Sequence, residues 1–331
     1  MFGYILKRLI QLVFVFVVAV MVIFIVPRAM PGNPADLFIS QNMALSTSME
    51  TIALREQLIL RFGLNKSLSE QFILYLKNVF TGYFGISWSY YPNEVLTVIL
   101  GRLPWTLFLM ISSRVITIFF GYVVGVVAAW KQGGKLDITI QILGLLTIAV
   151  PVFWVGALVL MAFAYYIPIF PLKGALTPGV VHKNFWEFAS DAIYHAVLPI
   201  FTLSIFGFFG EALVMRNTMV HILGEDFMLT AEAKGLKERT VMFKHGARNA
   251  MLPYVTGIFM GLGGLITGAI FVESVFGYPG MGQLLMSSIM ARDFPLMQGI
   301  FIMSTAITLM ANLLADLVYM VLDPRVRLTR I

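Results

Sequence analysis

Residues 9–26 read LIQLVFVFVVAVMVIFIV, an apolar run interrupted only by Gln11. A helix needs about 20 predominantly apolar residues to cross the hydrocarbon core of a bilayer, and this run approaches that length. Over all 331 residues, 59% are hydrophobic and 12% are charged, whereas about a quarter are charged in soluble domains. The composition excludes a disordered chain and an ordinary soluble globule. It predicts an all-α polytopic membrane protein, because only helices and closed barrels satisfy backbone groups in lipid.

Six segments have the length and polarity of membrane-spanning helices. They are residues 9–26, 104–130, 138–167, 193–215, 251–272 and 299–322. The basic start at Lys7 and Arg8 also suits a cleaved signal peptide, but no small-residue cleavage site precedes Pro27. We therefore expect residues 1–26 to be a retained transmembrane anchor and residues 104–322 to be a core with the other five spans.

Basic residues set the expected orientation. If the N-terminus is cytoplasmic, most Lys and Arg outside the long 27–103 segment fall in inner segments, above all in the 217–250 loop and the 323–331 tail. This predicts an inner-membrane protein with both termini cytoplasmic. The net charge of +6 is explained by these basic loops, so no nucleic-acid partner is expected. The chain has no cysteine, and its four histidines are widely spaced, so no metal site is predicted.

The long outer segment, residues 27–103, begins with a turn cluster at Pro31-Gly32-Asn33-Pro34. Residues 51–62 and 68–80 then show helical periodicity with mixed charge. We expect a small helical extracytoplasmic region. It is either a packing element or a docking surface for an external partner.

The loop between the fourth and fifth spans reads HILGEDFMLTAEAKGLKERTVMFKHGARNAMLP at 221–253. Asp226 can cap a first helix, in which Phe227 and Ala231 share one face. Gly235 is placed to end that helix in a left-handed conformation, and a second helix starts near Lys237. Such a helix–glycine–helix element can lie on anionic lipid or insert into a groove of a soluble protein, and composition leaves both open.

Several ordered motifs resemble those of ABC importer permeases. Ala231-Glu232-Ala233-Lys234-Gly235-Leu236, followed by His245, Arg248 and Leu252-Pro253, is similar to the ATPase-coupling loop of the dipeptide/oligopeptide/nickel group. Further segments similar to that group lie at 30–35, 102–106, 151–156, 195–199, 273–282, 291–295, 312–316 and 322–325. The N-terminal anchor and long outer loop resemble the first, B-type, of the two permeases in such systems.

The resemblance implies a type I ABC importer permease fold that forms half of a translocation pathway. The implied partners are a second permease subunit, two cytoplasmic ATPases, an extracytoplasmic substrate-binding protein and the lipid bilayer. ATP and Mg²⁺ would be used by the ATPases, because Gly133-Gly134-Lys135 is followed by Leu136 and forms no Walker A motif. The chain itself is expected to bind no cofactor and to be non-catalytic. Peptides are the commonest cargo of the family, while nickel chelates, glutathione-like molecules and oligosaccharides stay open.

The candidate functional residues form two sets. The ATPase-coupling set is Ala231, Glu232, Ala233, Lys234, Gly235, Leu236, His245 and Arg248. The pathway or helix-packing set is Arg114, Glu211, Gly257, Gly261, Gly264, Gly268, Asn312 and Asp316.

Each member of the second set has two interpretations. Arg114 and Glu211 either pair with each other, or Arg114 faces the passage and favours anionic substrate groups. The glycines of the fifth span step by one helical turn, which favours close helix packing over pore lining, as do Gly121 and Gly125 in the second span. Asn312 and Asp316 lie one turn apart and suit interhelical hydrogen bonding.

Other functions remain as alternatives at this stage. An ion-coupled secondary transporter would use Arg114, Glu211 and Asp316 as a relay, although no inverted repeat is evident. An intramembrane enzyme is disfavoured because the sequence lacks His-Glu-x-x-His, Gly-x-Gly-Asp and Gly-x-Ser-x-Gly motifs. A scaffold or receptor is the weakest alternative.

Overall fold

The computed structural model describes residues 2–29, 65–260 and 265–322. The chain divides into two compact units: Met1–Pro104 with Gln283–Leu309, and Trp105–Gly282 with Met310–Ile331. The turn expected at 31–34, the helix expected at 51–62 and the 323–331 tail lie outside the described residues.

The described part of the chain is built from α-helices, as the composition predicted. Their bounds are α1 Phe2–Ala29, α2 Leu68–Thr81, α3 Val95–Trp130, α4 Lys135–Ala149, α5 Val152–Leu160, α6 Phe185–Leu223, α7 Asp226–Ala233, α8 Glu238–Thr240, α9 Arg248–Met260, α10 Leu265–Val275, α11 Met281–Met290 and α12 Phe294–Leu322. A π-helical turn extends α5 over Met161–Tyr166, and another joins α8 to α9 over Val241–Ala247.

In the first unit, α1 and α2 pack together around Val20, Val79 and Ile302. The helix expected at 68–80 is confirmed as α2, which starts with a reciprocal Ser67–Glu70 capping box. Asp293 precedes α12 and is fully buried. Its carboxylate accepts hydrogen bonds from the Ser87 hydroxyl at 2.6 Å and the Ser89 N–H at 2.8 Å. The buried carboxylate thereby fastens the segment before α3 to the start of α12.

In the second unit, α6 is approached very closely by α3 and α4 at glycines. A Cβ atom at Gly121 would lie 2.8 Å from Glu211 Cβ, and one at Gly125 would lie 2.6 Å from the Ala212 carbonyl oxygen. A Cβ at Gly144 would lie 2.9 Å from Leu213 Cβ. These separations are shorter than van der Waals contact, so only glycine permits them. The close-packing interpretation of Gly121 and Gly125 is confirmed.

The third expected span, 138–167, is wrong as a single helix. The chain turns by 101° between α4 and α5, and Val150 adopts an extended conformation at φ −97°, ψ 125°. The cause is Pro151, because proline disfavours helical conformation in the residue before it and has no N–H to continue the helical ladder.

Six spans are not confirmed. Among the described residues, four helices are long and apolar enough to cross a membrane, within Leu6–Val26, Val95–Trp130, Phe185–Leu223 and Phe294–Val318. The bent α4–α5 pair makes a fifth if it counts as one span. The span expected at 251–272 falls on α9 and α10, and the residues between these helices are not described.

The glycine contacts predict that adding one methyl group at a close helix contact lowers the stability of the protein. Gly125→Ala places a Cβ against the α6 backbone, which cannot move like a flexible side chain, and should destabilise the protein by about 1–3 kcal/mol. Gly101→Ala on the same helix meets no atom within 4 Å and is the matched control. Thermal unfolding of both variants in detergent tests this, and equal midpoints would contradict it.

Candidate functional site

The helix–glycine–helix segment at 226–260 folds as predicted in outline. Helix α7 ends at Ala233, and Gly235 follows with φ +67°, which confirms the left-handed turn. The Gly235 N–H donates to the Glu232 carbonyl at 2.9 Å. A Cβ at Gly235 would meet no atom within 4 Å. Glycine is therefore needed here for its backbone conformation and not for space. We call residues 224–247 the elbow.

One local prediction for the elbow is wrong. Asp226 is the first residue of α7, while Glu225 occupies the cap position and makes no side-chain cap bond. Phe227 and Ala231 lie four residues apart in α7, as predicted. Phe227 is nevertheless 40% exposed, and Met228 is the apolar residue buried beside Ala231.

Pro253 lies inside α9, because helical structure has already begun before it, at Glu238. The second helix of the elbow itself starts where it was expected, with Lys237 at its cap position.

The elbow packs against the ends of α3 and α6. Met228, Ala231 and Val241 form a buried cluster with Trp130 and Leu223. A second cluster joins α3, α6 and the helix after the elbow through Val126, Ala129, Met215, Met219, Ala247 and Ala250. The Trp130 indole N–H donates to the Glu238 carboxylate at 2.5 Å. The elbow is therefore held to the long helices by apolar burial and a charge-assisted hydrogen bond.

The opposite side of the elbow is open. In the predicted coupling set, Ala231 is buried and His245 is half-buried, while Glu232, Ala233, Lys234, Gly235, Leu236 and Arg248 are exposed. Phe227 and Leu229 add exposed apolar surface, Leu229 being 65% exposed. Sequence reasoning did not select Leu229. A helix that packs against one neighbour needs only one apolar face, whereas α7 has apolar residues on both faces. That excess was the available signal.

Arg114 and Glu211 form an ion pair deep within the second unit. Arg114 Nη1 lies 2.5 Å from Glu211 Oε1, and the two side chains are 15% and 14% exposed. Arg114 Nη2 donates to the Ile258 carbonyl at 3.2 Å, and the Tyr254 hydroxyl donates to the Ile118 carbonyl at 3.5 Å nearby. Of the two sequence interpretations the structure shows the pairing. The pair joins α3, α6 and α9 at one junction.

The other pathway candidates lie on α9, α10 and α12 or between α9 and α10. Asn312 and Asp316 lie half-buried, one turn apart on α12. Gly257 is exposed, and a Cβ there would meet no atom within 4 Å. The close approach expected at Gly257 is therefore not made by the described residues of this chain. Gly261 and Gly264 lie outside the described residues, and Gly268 lies in α10.

A buried carboxylate that sequence reasoning noted only as part of a motif is Glu273. It is fully buried and accepts hydrogen bonds from the Thr106 hydroxyl at 2.7 Å and the Gly282 N–H at 2.6 Å. The Met281 N–H donates to the same Thr106 hydroxyl at 2.8 Å. A Cβ at Gly280 would overlap the Glu273 carboxylate. This explains the Pro-Gly-Met-Gly sequence as a turn wrapped around a buried anion.

Two histidines meet at Asp191: His195 lies four residues further along the same helix, and His182 reaches it from the preceding loop. His182 Nε2 lies 2.9 Å from Asp191 Oδ2, and His195 Nδ1 lies 3.2 Å from Oδ1. The Thr177 N–H and hydroxyl also donate to this carboxylate, at 2.8 and 2.7 Å. Across the part of the chain that the structure covers, no group of three or more His, Cys, Asp or Glu residues is arranged to hold a metal ion.

The ion pair predicts a non-additive mutational cycle. Arg114→Leu leaves the Glu211 carboxylate buried without its cation and should destabilise the protein by about 3–5 kcal/mol. The double variant Arg114→Leu/Glu211→Leu removes both charges and should recover most of that loss. Unfolding midpoints of wild type, both single variants and the double variant measure the coupling, and additive effects would contradict the pairing.

The hydrogen bonds to the buried Glu273 carboxylate lead to a second prediction. Glu273→Gln places an amide where the carboxylate accepts two hydrogen bonds, so one buried donor loses its acceptor, at about 1–3 kcal/mol. Glu232→Gln, an exposed substitution of the same chemistry, is the control. Thermal unfolding of the purified variants tests the difference, which should disappear if Glu273 is not held as described.

Comparison with known proteins places these features in a family. Residues 121–328 match the family model for the binding-protein-dependent transport system inner membrane component, and residues 1–110 match its N-terminal companion model. Three full-length relatives illustrate the similarity.

The oligopeptide transport system permease protein AppB of Bacillus subtilis is 32% identical over 326 residues, covering 98% of this chain and 99% of the relative. The glutathione transport system permease protein GsiC of Escherichia coli K12 is 34% identical over 330 residues, covering 99% of each. The dipeptide transport system permease protein DppB of Lactococcus lactis is 32% identical over 328 residues, covering 99% of this chain and 100% of the relative.

These matches confirm the B-type permease resemblance and the non-catalytic character expected for a membrane subunit. They also support association with other transporter subunits in the inner membrane. The chain belongs to the family of binding-protein-dependent transport system inner membrane components, as a permease subunit of an ABC importer.

Proposed function

We propose that this permease forms one half of the passage of a peptide importer and that its elbow receives a cytoplasmic ATPase. The observation that carries the proposal is the elbow itself, whose inner face is buried against α3 and α6 while its outer face leaves Leu229 and Leu236 exposed. A helix that is apolar on both faces suits insertion into a groove of a partner protein.

The orientation follows from charge. With the elbow and both termini on the cytoplasmic side, 13 of the 17 basic residues outside the 27–103 segment lie in inner segments, seven of them in the elbow and the 323–331 tail, and this excess favours that orientation. The α4–α5 pair and the α9–α10 pair supply the third and fifth of six spans in this arrangement. The 27–103 segment then lies outside, where a substrate-binding protein docks.

The packing supports a lever mechanism. A displacement of the elbow is transmitted to α3 and α6 through Trp130, Met219 and Leu223, which pack against it. It passes along the continuous helix to α9, which shares the Arg114–Glu211 junction. ATP can drive such a switch only if the ATPases make different contacts with the elbow in the two states.

A second permease subunit completes the passage. Gly257 leaves open space along α9 within this chain, and small residues permit close approach of a neighbouring helix in a membrane. We infer that Gly257 on α9, together with Asn312 and Asp316 on α12, lies toward the passage or toward that subunit.

The cargo proposal rests on the relatives, whose names specify oligopeptide, dipeptide and glutathione transport. Arg114 is neutralised by Glu211 at 2.5 Å, so it is not a free anion receptor. The same pairing argues against the ion-coupled transporter, because a relay group must exchange its proton while these two charges stabilise each other.

The proposed docking is tested with Leu229→Asp in the chain co-expressed with its ATPase subunits. A charge on the exposed face should reduce ATPase co-purification about tenfold or more, as loss of a buried apolar anchor does at interfaces. Val181→Asp is the matched control, since Val181 is 86% exposed on a different loop.

Uptake of peptide into vesicles gives the functional readout. Vesicles with the full complex should concentrate peptide when ATP is supplied, and those with the Leu229→Asp complex should not. Retained ATPase binding and uptake in Leu229→Asp, or uphill uptake by the permease without any ATPase, would overturn the proposal.

A further inference from the structure

A groove of about 410 Å³ lies on the elbow beside the start of α8. It is lined by Lys237, Arg239, Thr240, Phe243 and Lys244. Thr240 and Phe243 are half-buried, whereas the three basic side chains are exposed at its edges. The groove therefore combines a partly apolar floor, a hydroxyl group and three cations within one short segment.

The positive charge of the groove is not balanced from within the described structure. None of the ion pairs between described residues involves Lys237, Arg239 or Lys244. The adjacent carboxylate, Glu238, accepts a hydrogen bond from the neutral Trp130 indole at 2.5 Å and keeps its negative charge. The three cations and Glu238 together leave a net charge of about +2 at the groove, which favours an external anion.

The groove lies close to the apolar segment that begins at Met251, so the headgroup layer of the membrane is the source of anions nearest to it. Lys244 lies seven residues before Met251, at which the fifth apolar segment begins. With a rise of about 1.5 Å per residue, Lys244 is about 10 Å from the start of that segment. A lysine side chain spans much of that distance, and basic side chains near a helix end extend toward the headgroup layer.

We propose that this groove binds the phosphate-bearing headgroup of an anionic phospholipid. The phosphate lies among Lys237, Arg239 and Lys244, with the Thr240 hydroxyl as a further donor, and the adjoining glycerol and upper acyl carbons lie against Phe243. A free phosphate ion could bind the three cations, but it has no apolar group to pack against Phe243. Arginine and lysine clusters beside a membrane-entering helix attract anionic headgroups in this manner.

The inference goes beyond the transport function and does not depend on it. It requires only that the helix after the elbow enters the bilayer, and it is tested on the permease without ATPases. It also separates two uses of the elbow. The open face of α7 contacts protein, while the groove at α8 contacts lipid.

Native mass spectrometry of the purified chain with added phosphatidylglycerol tests the proposal. Lys237→Gln/Arg239→Gln/Lys244→Gln should weaken phosphatidylglycerol binding roughly 100-fold, because each basic residue near an anionic surface contributes roughly fivefold. Lys66→Gln/Lys77→Gln/Lys183→Gln removes the same charge from exposed positions away from the elbow and should change binding less than about threefold by the same reasoning. Phosphatidylcholine should bind both proteins weakly.

Three results would overturn the proposal. The first is unchanged phosphatidylglycerol affinity in the groove variant. The second is full displacement of the lipid by millimolar inorganic phosphate, which would make the groove a phosphate site. The third is loss of ATPase co-purification with lipid affinity retained, which would make it a protein contact. If the triple variant does not fold, Arg239→Gln and Lys244→Gln singly should each weaken lipid binding roughly fivefold.

Discussion

The close approach of α3 and α4 to α6 is the constraint on which the second unit depends. Gly121, Gly125 and Gly144 bring backbone against backbone, where any side chain would separate the helices. In a membrane this matters more than in water, because lipid is as apolar as leucine and helix association relies on close packing and polar contacts.

Two ion pairs lie beside these close contacts. Gly121 lies against Glu211, whose carboxylate pairs with Arg114 at 2.5 Å. Arg216 lies on α6 just beyond the contact of Ala212 with Gly125 of α3. It donates two hydrogen bonds to the Asp137 carboxylate, from Nε at 2.7 Å and from Nη2 at 2.9 Å. Charged groups in such surroundings are tolerated when they are paired. A wider helix spacing would lengthen both ion pairs. Their attraction would then offset less of the free energy needed to bury the charges.

The same helices hold the elbow. Met215 and Met219 follow the glycine contact on α6, and Trp130 ends α3, and all three pack against the residues around the elbow. The elbow is consequently an extension of the helix packing and not an independent flap. A partner that displaces it displaces α3 and α6 with it, which is the mechanical requirement for coupling ATP hydrolysis to a passage within the membrane.

Much of this arrangement was predictable from the sequence, and the failures have physical causes. Apolar runs located the long helices, and the spacing of Gly121 and Gly125 predicted close packing, because these signals are local. The left-handed Gly235 was predictable for the same reason. The span predicted at 138–167 is continuous and contains Pro151, whereas the structure bends there by 101°, an angle that depends on the surrounding helices.

Contacts between distant residues were the least predictable. The contact of His182 with Asp191 requires the fold of the loop before α6, whereas His195 lies four residues after Asp191 on the same helix. The ion pair of Arg114 and Glu211 was one of two sequence alternatives, and helix register decided between them. The lipid groove depends on side-chain placement around the start of α8, where the sequence showed only a basic stretch.

Electron–electron distance measurement on the assembled importer tests the lever most directly. The chain has no cysteine, so Glu225→Cys in the elbow and Phe185→Cys at the far end of α6 can be labelled specifically. When ATP is trapped, the account predicts that the distance between the labels at 225 and 185 changes by less than about 2 Å, the scale of small helix shifts. The distance from the label at 185 to a label on the second permease should change by more. A change confined to the elbow, with the far ends of the helices stationary, would contradict it.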